Sequence, residues 1–175
     1  MNIFLVDFDL KQSAQQLPDM LLNKQILEAC QVMCTNFHLL TSLSDIPYKK
    51  THENHPITIW NRKLYKHFTY LIEYTTELLN EFTYRRNKQH KCSHVIEWIN
   101  LNKNKLKLPI TNKSIDFCWC VPDVYKNRNS NHVEAYRDLI KNEKRGYYRK
   151  LKNSDKKVWV PYVWSKRKVP YWFVF

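Results

Sequence analysis

The chain has 175 residues, 43% hydrophobic and 14% aromatic, with a formal net charge of +13 and a single glycine, Gly146. A chain of this length buries roughly 70% of the surface that its unfolded form exposes, so it can build a core without a disulfide or a metal. One glycine excludes a Gly-rich phosphate loop and a dinucleotide-binding fingerprint, because those turns need several.

Residues 2–8, NIFLVDF, are expected to form a short strand or an extended arm, after which Asp9 begins a small helix that ends near Pro18. The opening residues hold Asp7 and Asp9 and no basic lead region, which is not a secretory signal pattern. No apolar run is long enough to cross a membrane. Five cysteines, an odd number, fit free thiols in a reducing compartment, so a cytoplasmic or nucleoid-associated protein is expected.

The stretch from Pro18 to Leu43 organises the rest. Leu21, Leu22, Ile26, Leu27, Ala29, Cys30, Met33, Phe37, Leu39 and Leu40 recur with helical spacing, so a helix buried on most sides is expected. Asp19 sits beside the positive end of its dipole. Into this surface the sequence sets one carboxylate, Glu28, with Lys24 four residues and Gln25 three residues before it, a polar island on one face. Spacing alone leaves two readings of Glu28: a solvent-facing partner of Lys24, or a half-buried carboxylate able to polarise a substrate.

After a break at 44–47 and a loop at 48–54, a second long helix is expected from Pro56 through Phe82, its apolar period held by Trp60, Leu64, Phe68, Leu71 and Leu78. Packed together, the two long helices would form the core. A basic exit at 85–91 leads to a short helix capped by Ser93 and ending by Asn100. Residues 101–131 read as irregular, and Asn131 as the cap of a helix running over 132–151. Prolines at 161 and 170 exclude a long helix from the tail. The expected fold is mainly α, one compact domain over 1–175 with an irregular aromatic and basic C-terminal segment, about 152–175.

Charge is uneven. Residues 1–47 carry two Lys against five acids, whereas residues 141–168 carry eleven Lys/Arg against two acids. A basic tract interleaved with Tyr and Trp suits nucleic acid, since cations meet phosphates while rings stack on bases. Cys30 with Cys34, His90 with Cys92 and His94, and Cys118 with Cys120 lack the spacing of a zinc ribbon or a zinc hydrolase, so no metal or other cofactor is expected.

Several segments, taken in order, resemble the pyrimidine-dimer DNA glycosylase family of the bacteriophage endonuclease V type. They are MNIFLVDFD at the start, DMLLNKQILE at 19–28, HPITIWNRKL at 55–64, EFTYRRNKQHK at 81–91, VEAYRDLIKNEK at 133–144 and the PYW near the end. The resemblance implies a helical base-excision-repair enzyme with glycosylase and abasic-lyase activity, in which an N-terminal α-amine attacks the sugar C1′ and β-elimination breaks the strand. It implies Met1 or Asn2 as the bearer of the amine and Glu28 as the catalytic carboxylate, with Lys24, His38 and His55 nearby. An α-amine, with a pKa near 8 against about 10.4 for lysine, is far more often neutral and nucleophilic at pH 7. By the same resemblance Tyr171 and Trp172 would lie at the DNA surface, and Arg85, Arg86, Lys88, Arg145, Arg149 and Lys150 are candidate phosphate contacts. DNA is the expected partner, with no membrane. Two other classes stay open: a nucleic-acid-binding or interaction protein on the same scaffold without catalysis, and a nucleotide- or base-modifying enzyme.

Overall fold

The computed structural model describes residues 2–112, 114–143, 145–150 and 155–174, without the side chains of residues 149 and 150. Residues 2–8 form neither helix nor strand; they run as an arm in which Ile3, Phe4, Leu5 and Val6 are buried. Buried backbone needs partners, and here side chains provide them. Phe4 N–H donates to Gln25 Oε1 at 2.7 Å, Val6 N–H to Ser13 Oγ at 3.0 Å, and the Phe4 carbonyl accepts from Tyr74 at 2.6 Å.

Helix α1, Leu10–Gln16, starts where Asp9 accepts from the Gln12 N–H. The central helix α2 spans Asp19–Leu40, with Leu22, Ile26, Cys30, Met33 and Phe37 turned into the core. The expected second long helix is two helices. α3 covers Pro56–Lys63 and α4 covers Tyr65–Arg86, separated at Leu64, whose backbone is extended at φ −142° and ψ 146°. The break is held by polar groups that replace helical hydrogen bonds. Asn61 Nδ2 donates to the His67 carbonyl, Asn36 Nδ2 reaches Asn61 Oδ1, and His67 Nδ1 bonds the Trp60 carbonyl. One extended residue leaves the apolar period almost unchanged, which is why spacing passes over it.

Helix α5, Ser93–Asn102, has Ser93 as its first residue and Cys92 at the cap position, with no side-chain capping bond. A short 3₁₀ turn, Lys103–Lys105, follows; later in the 101–131 segment lies α6, Asp123–Arg128. Asn131 does cap α7, His132–Glu143, by accepting from the Glu134 N–H. That helix stops at Glu143 rather than running on, because the chain turns into β1, Gly146–Lys150, which pairs antiparallel with β2, Lys157–Pro161. The described residues are therefore mainly helical with one two-stranded sheet. α2 packs on α4, α3 and α5, and one apolar cluster extends from Ile3 to Ile140. No described helix is long and apolar enough to cross a membrane.

Candidate active site at the chain start

Glu28 lies on the α2 face that meets the arm, and only 9% of it is exposed. The solvent-facing reading is overturned: Glu28 Oε2 accepts from the Asn2 backbone N–H at 2.8 Å, while Lys24 Nζ stands 3.6 Å from Oε1 and is half exposed. Gln25, one turn before on α2, grips the same arm twice. Its Nε2 donates to the Asn2 carbonyl at 2.8 Å and its Oε1 accepts from Phe4. Helical spacing alone thus puts a carboxylate and an amide where they hold residues 2–4 in register.

The Asn2 side chain is fixed from the other side. Its Nδ2 donates to the Cys120 carbonyl at 2.6 Å, and its Oδ1 accepts from Tyr136 on α7 at 3.0 Å. The Cys120 N–H donates to the same Tyr136 oxygen at 2.9 Å, closing a ring of hydrogen bonds. Tyr136 is fully buried, and burial pushes its hydroxyl pKa upward, so it stays a neutral donor. His55 completes the neighbourhood at the start of α3, where its Nδ1 accepts from the Ile57 N–H. Burial lowers the His55 pKa, and the charge of Glu28 acts against that shift.

The sequence-predicted residues divide accordingly. Asn2, Lys24, Glu28 and His55 come together; Met1 lies outside the described residues. His38 stands ten residues further along α2, bonded to the Tyr48 carbonyl at 2.8 Å and away from this cluster. Arg85 is no phosphate contact: its guanidinium is 0% exposed and bonds Asp19, Glu81 and the carbonyls of Leu17 and Gln15. Arg86 is partly exposed and reaches Asp19 at 3.0 Å, beside a cavity of about 240 Å³ that Tyr147 and Val160 also line. Lys88 lines a second cavity, of about 480 Å³, with Asn23, Leu27 and His90.

Arg145 is exposed, its Nε held by the Lys141 carbonyl, while the side chains of Arg149 and Lys150 lie outside those described. Tyr171 is 76% exposed and sits beneath the Arg137 guanidinium, whereas Trp172 is half-buried and donates to Gln16 Oε1. Tyr136 and Cys120 carry no spacing signal toward this site. Tyr136 reads as one more inward residue of an amphipathic helix, and only the fold brings it to Asn2. Among the described residues no group of three or more His, Cys, Asp or Glu is arranged to hold a metal ion.

Comparison with protein families matches residues 1–94 to the pyrimidine dimer DNA glycosylase family. Neither the curated proteins nor the solved structures give a match. The matched span covers more than half of the chain and takes in the arm, Glu28 and His55, and the chain belongs to the pyrimidine dimer DNA glycosylase family.

Proposed function

We propose that the protein removes damaged pyrimidines from DNA and cleaves at the resulting abasic site, with an α-amine at the chain start as nucleophile and Glu28 as acid, base and charge stabiliser. The observation that carries this reading is the 2.8 Å contact between the Asn2 nitrogen and Glu28 Oε2. A chain beginning at residue 2 has its α-amine on that atom, already in hydrogen bond to the carboxylate. The neutral amine attacks C1′ and displaces the damaged base, while the Glu28 carboxylate, still charged, faces the positive charge that develops at the sugar. The Schiff base that follows permits β-elimination, for which the same carboxylate shuttles protons. Gln25, Tyr136 and the Cys120 carbonyl hold residue 2 still, which lowers the entropic cost of alignment.

DNA as substrate is supported by the family and by the basic tract, in which Arg145 and Lys157 are exposed to solvent. The exposed Arg86 and Lys88 are taken to extend this surface, and Tyr171 is an exposed ring of the tail.

A second reading has its own observation. With Met1 attached, the Asn2 nitrogen is a peptide N–H, which is no nucleophile, and the contact to Glu28 then serves only to seat the arm. Where the Met1 amine does not take over the attack, such a chain binds DNA without cutting it.

Borohydride trapping on a duplex with one abasic site, alongside the intact mass of the chain, separates the two. The glycosylase reading expects a covalent adduct on the first residue, and Glu28→Gln is expected to slow its formation by about 10²–10⁴-fold. No adduct, with salt-sensitive DNA binding intact, overturns catalysis in favour of the binding scaffold.

A further inference from the structure

Cys118 and Cys120 stand apart from the other three cysteines. Cys30, Cys34 and Cys92 are buried, whereas Cys118 and Cys120 are only partly so, with their sulfurs 3.8 Å apart and a single residue, Trp119, between them. A disulfide needs the sulfurs about 2.05 Å apart, so roughly 2 Å of movement closes the pair. The two thiols are also unequal. The hydrogen bond shared with Cys120, helped by the charge of Lys126, lowers Cys118 to about 7 against the opposing effect of burial. Cys120 is pushed upward by the same bond. Cys118 is thus the attacking sulfur and Cys120 the resolving one.

What makes this pair more than a local feature is the peptide on which Cys120 sits. Its carbonyl holds Asn2 Nδ2 and its N–H holds Tyr136, which in turn donates to Asn2 Oδ1. Trp119 packs against the core, so the segment cannot slide as a rigid piece to bring the sulfurs together. Where closing the short ring turns the peptide groups on either side of Cys120, both of their hydrogen bonds turn with them.

We propose that Cys118 and Cys120 form a thiol–disulfide exchange site for low-molecular-weight disulfides, and that its oxidised form releases the Asn2 side chain from its clamp. The Cys118 thiolate attacks one sulfur of the external disulfide, forming a mixed disulfide and expelling the first thiolate. Cys120 then loses its proton and attacks the Cys118 sulfur, forming the internal disulfide and expelling the second external thiolate. The external disulfide is reduced by two electrons to two thiols, and the protein pair is oxidised by two. The consequence for catalysis, loss of the seated residue 2, rests on the function proposed above; the exchange chemistry and the release of Asn2 do not.

The test treats the full reduced chain with glutathione disulfide and reads two quantities that need no DNA. Mapping of alkylatable thiols is expected to show the loss of two, both in the peptide carrying residues 118–120, while Cys120→Ser stalls as a mixed disulfide on Cys118. Hydrogen exchange at the Asn2 side-chain amide is expected to rise roughly fivefold or more, as for a lost hydrogen bond, and Cys118→Ser is expected to abolish that rise. Two thiols still alkylatable at 118 and 120, or an internal disulfide that leaves Asn2 exchange unchanged, overturns the proposal. Abasic-DNA trapping before and after oxidation then reads the functional consequence: absence of trapping in the reduced chain counts against the glycosylase reading alone.

Discussion

Arg85 and Glu28 exchange the roles that sequence assigns them. Two arginines followed by Asn87 and Lys88 look like a solvated helix end, yet the Arg85 guanidinium is enclosed by Asp19, Glu81 and two carbonyls. Only Glu81 lies within one helix turn, and it reads as an ordinary surface pair, because Asp19 comes from α2 and Arg167, the second partner of Glu81, from the tail. Glu28 shows the reverse: its local partner Lys24 suggests a surface pair, and the residue that matters, Asn2, is 26 positions away. Spacing does not reveal this contact; the resemblance alone singles Glu28 out. Burial raises the pKa of both Asp19 and Glu81, but hydrogen bonds outweigh it and leave both lowered, from Ser165 and Arg85 to Asp19 and from Arg167 and Arg85 to Glu81. These carboxylates therefore hold fewer protons folded than unfolded. Their stabilisation is complete above the ordinary carboxylate values near pH 4 and is lost as pH falls through the lower folded values. Arg85→Met leaves two buried acids short of a cation and is expected to cost about 3–5 kcal/mol in urea unfolding at neutral pH. Acid unfolding followed by circular dichroism is expected to begin at a higher pH in that variant.

Elements were readable where a period ran uninterrupted and hidden where one residue or a cross-strand pair decided the matter. α2 is foreshadowed by its apolar stripe and α1 by Asp9, while the divide at Leu64 depends on the Asn36, Asn61 and His67 cluster. The hairpin was missed because its pattern overlaps the end of α7: Tyr147 continues an inward helical position equally well. Gly146 explains why a strand wins there. A Cβ at this position would run into the Val160 carbonyl oxygen and lie 2.6 Å from the Trp159 ring, so the indole and the facing strand occupy the space a side chain would take. Trp159 also meets Tyr148 edge to face, with ring centres 5.2 Å apart. Gly146→Ala must push the strands apart. It is expected to destabilise the pair by about 1–3 kcal/mol, seen as a lower melting temperature and weakened nuclear Overhauser contacts between Tyr148 and Trp159.

At the scale of the molecule, acidity and basicity are segregated along the chain, with the cationic excess in 141–168 beyond the span matched to the family. If that tract meets phosphates, log Kd for duplex DNA rises linearly with log salt, and each true phosphate contact adds about 0.9 to the slope. Lys157→Gln and Arg145→Gln, both exposed, are each expected to lower the slope by about 1, measured by fluorescence anisotropy across a salt series. Arg85→Met is expected to leave the slope unchanged, since its charge is spent inside. The same segregation hides a structural debt, for the later half of the chain also secures the earlier half. Ser165 bonds Asp19 at the head of α2, and Arg137 bonds the Val6 carbonyl and Asp7.

The ring joining Asn2, Cys120 and Tyr136 spans 118 and 134 positions of sequence. It gives the site a place in time as well as in space. A growing chain that has just released α2 already holds Glu28 and Gln25, but its first residues lack their second anchor until α7 has emerged and folded back. The first residues are therefore set only when most of the polypeptide exists, and a prematurely terminated product keeps Glu28 and Gln25 while lacking the second anchor of Asn2.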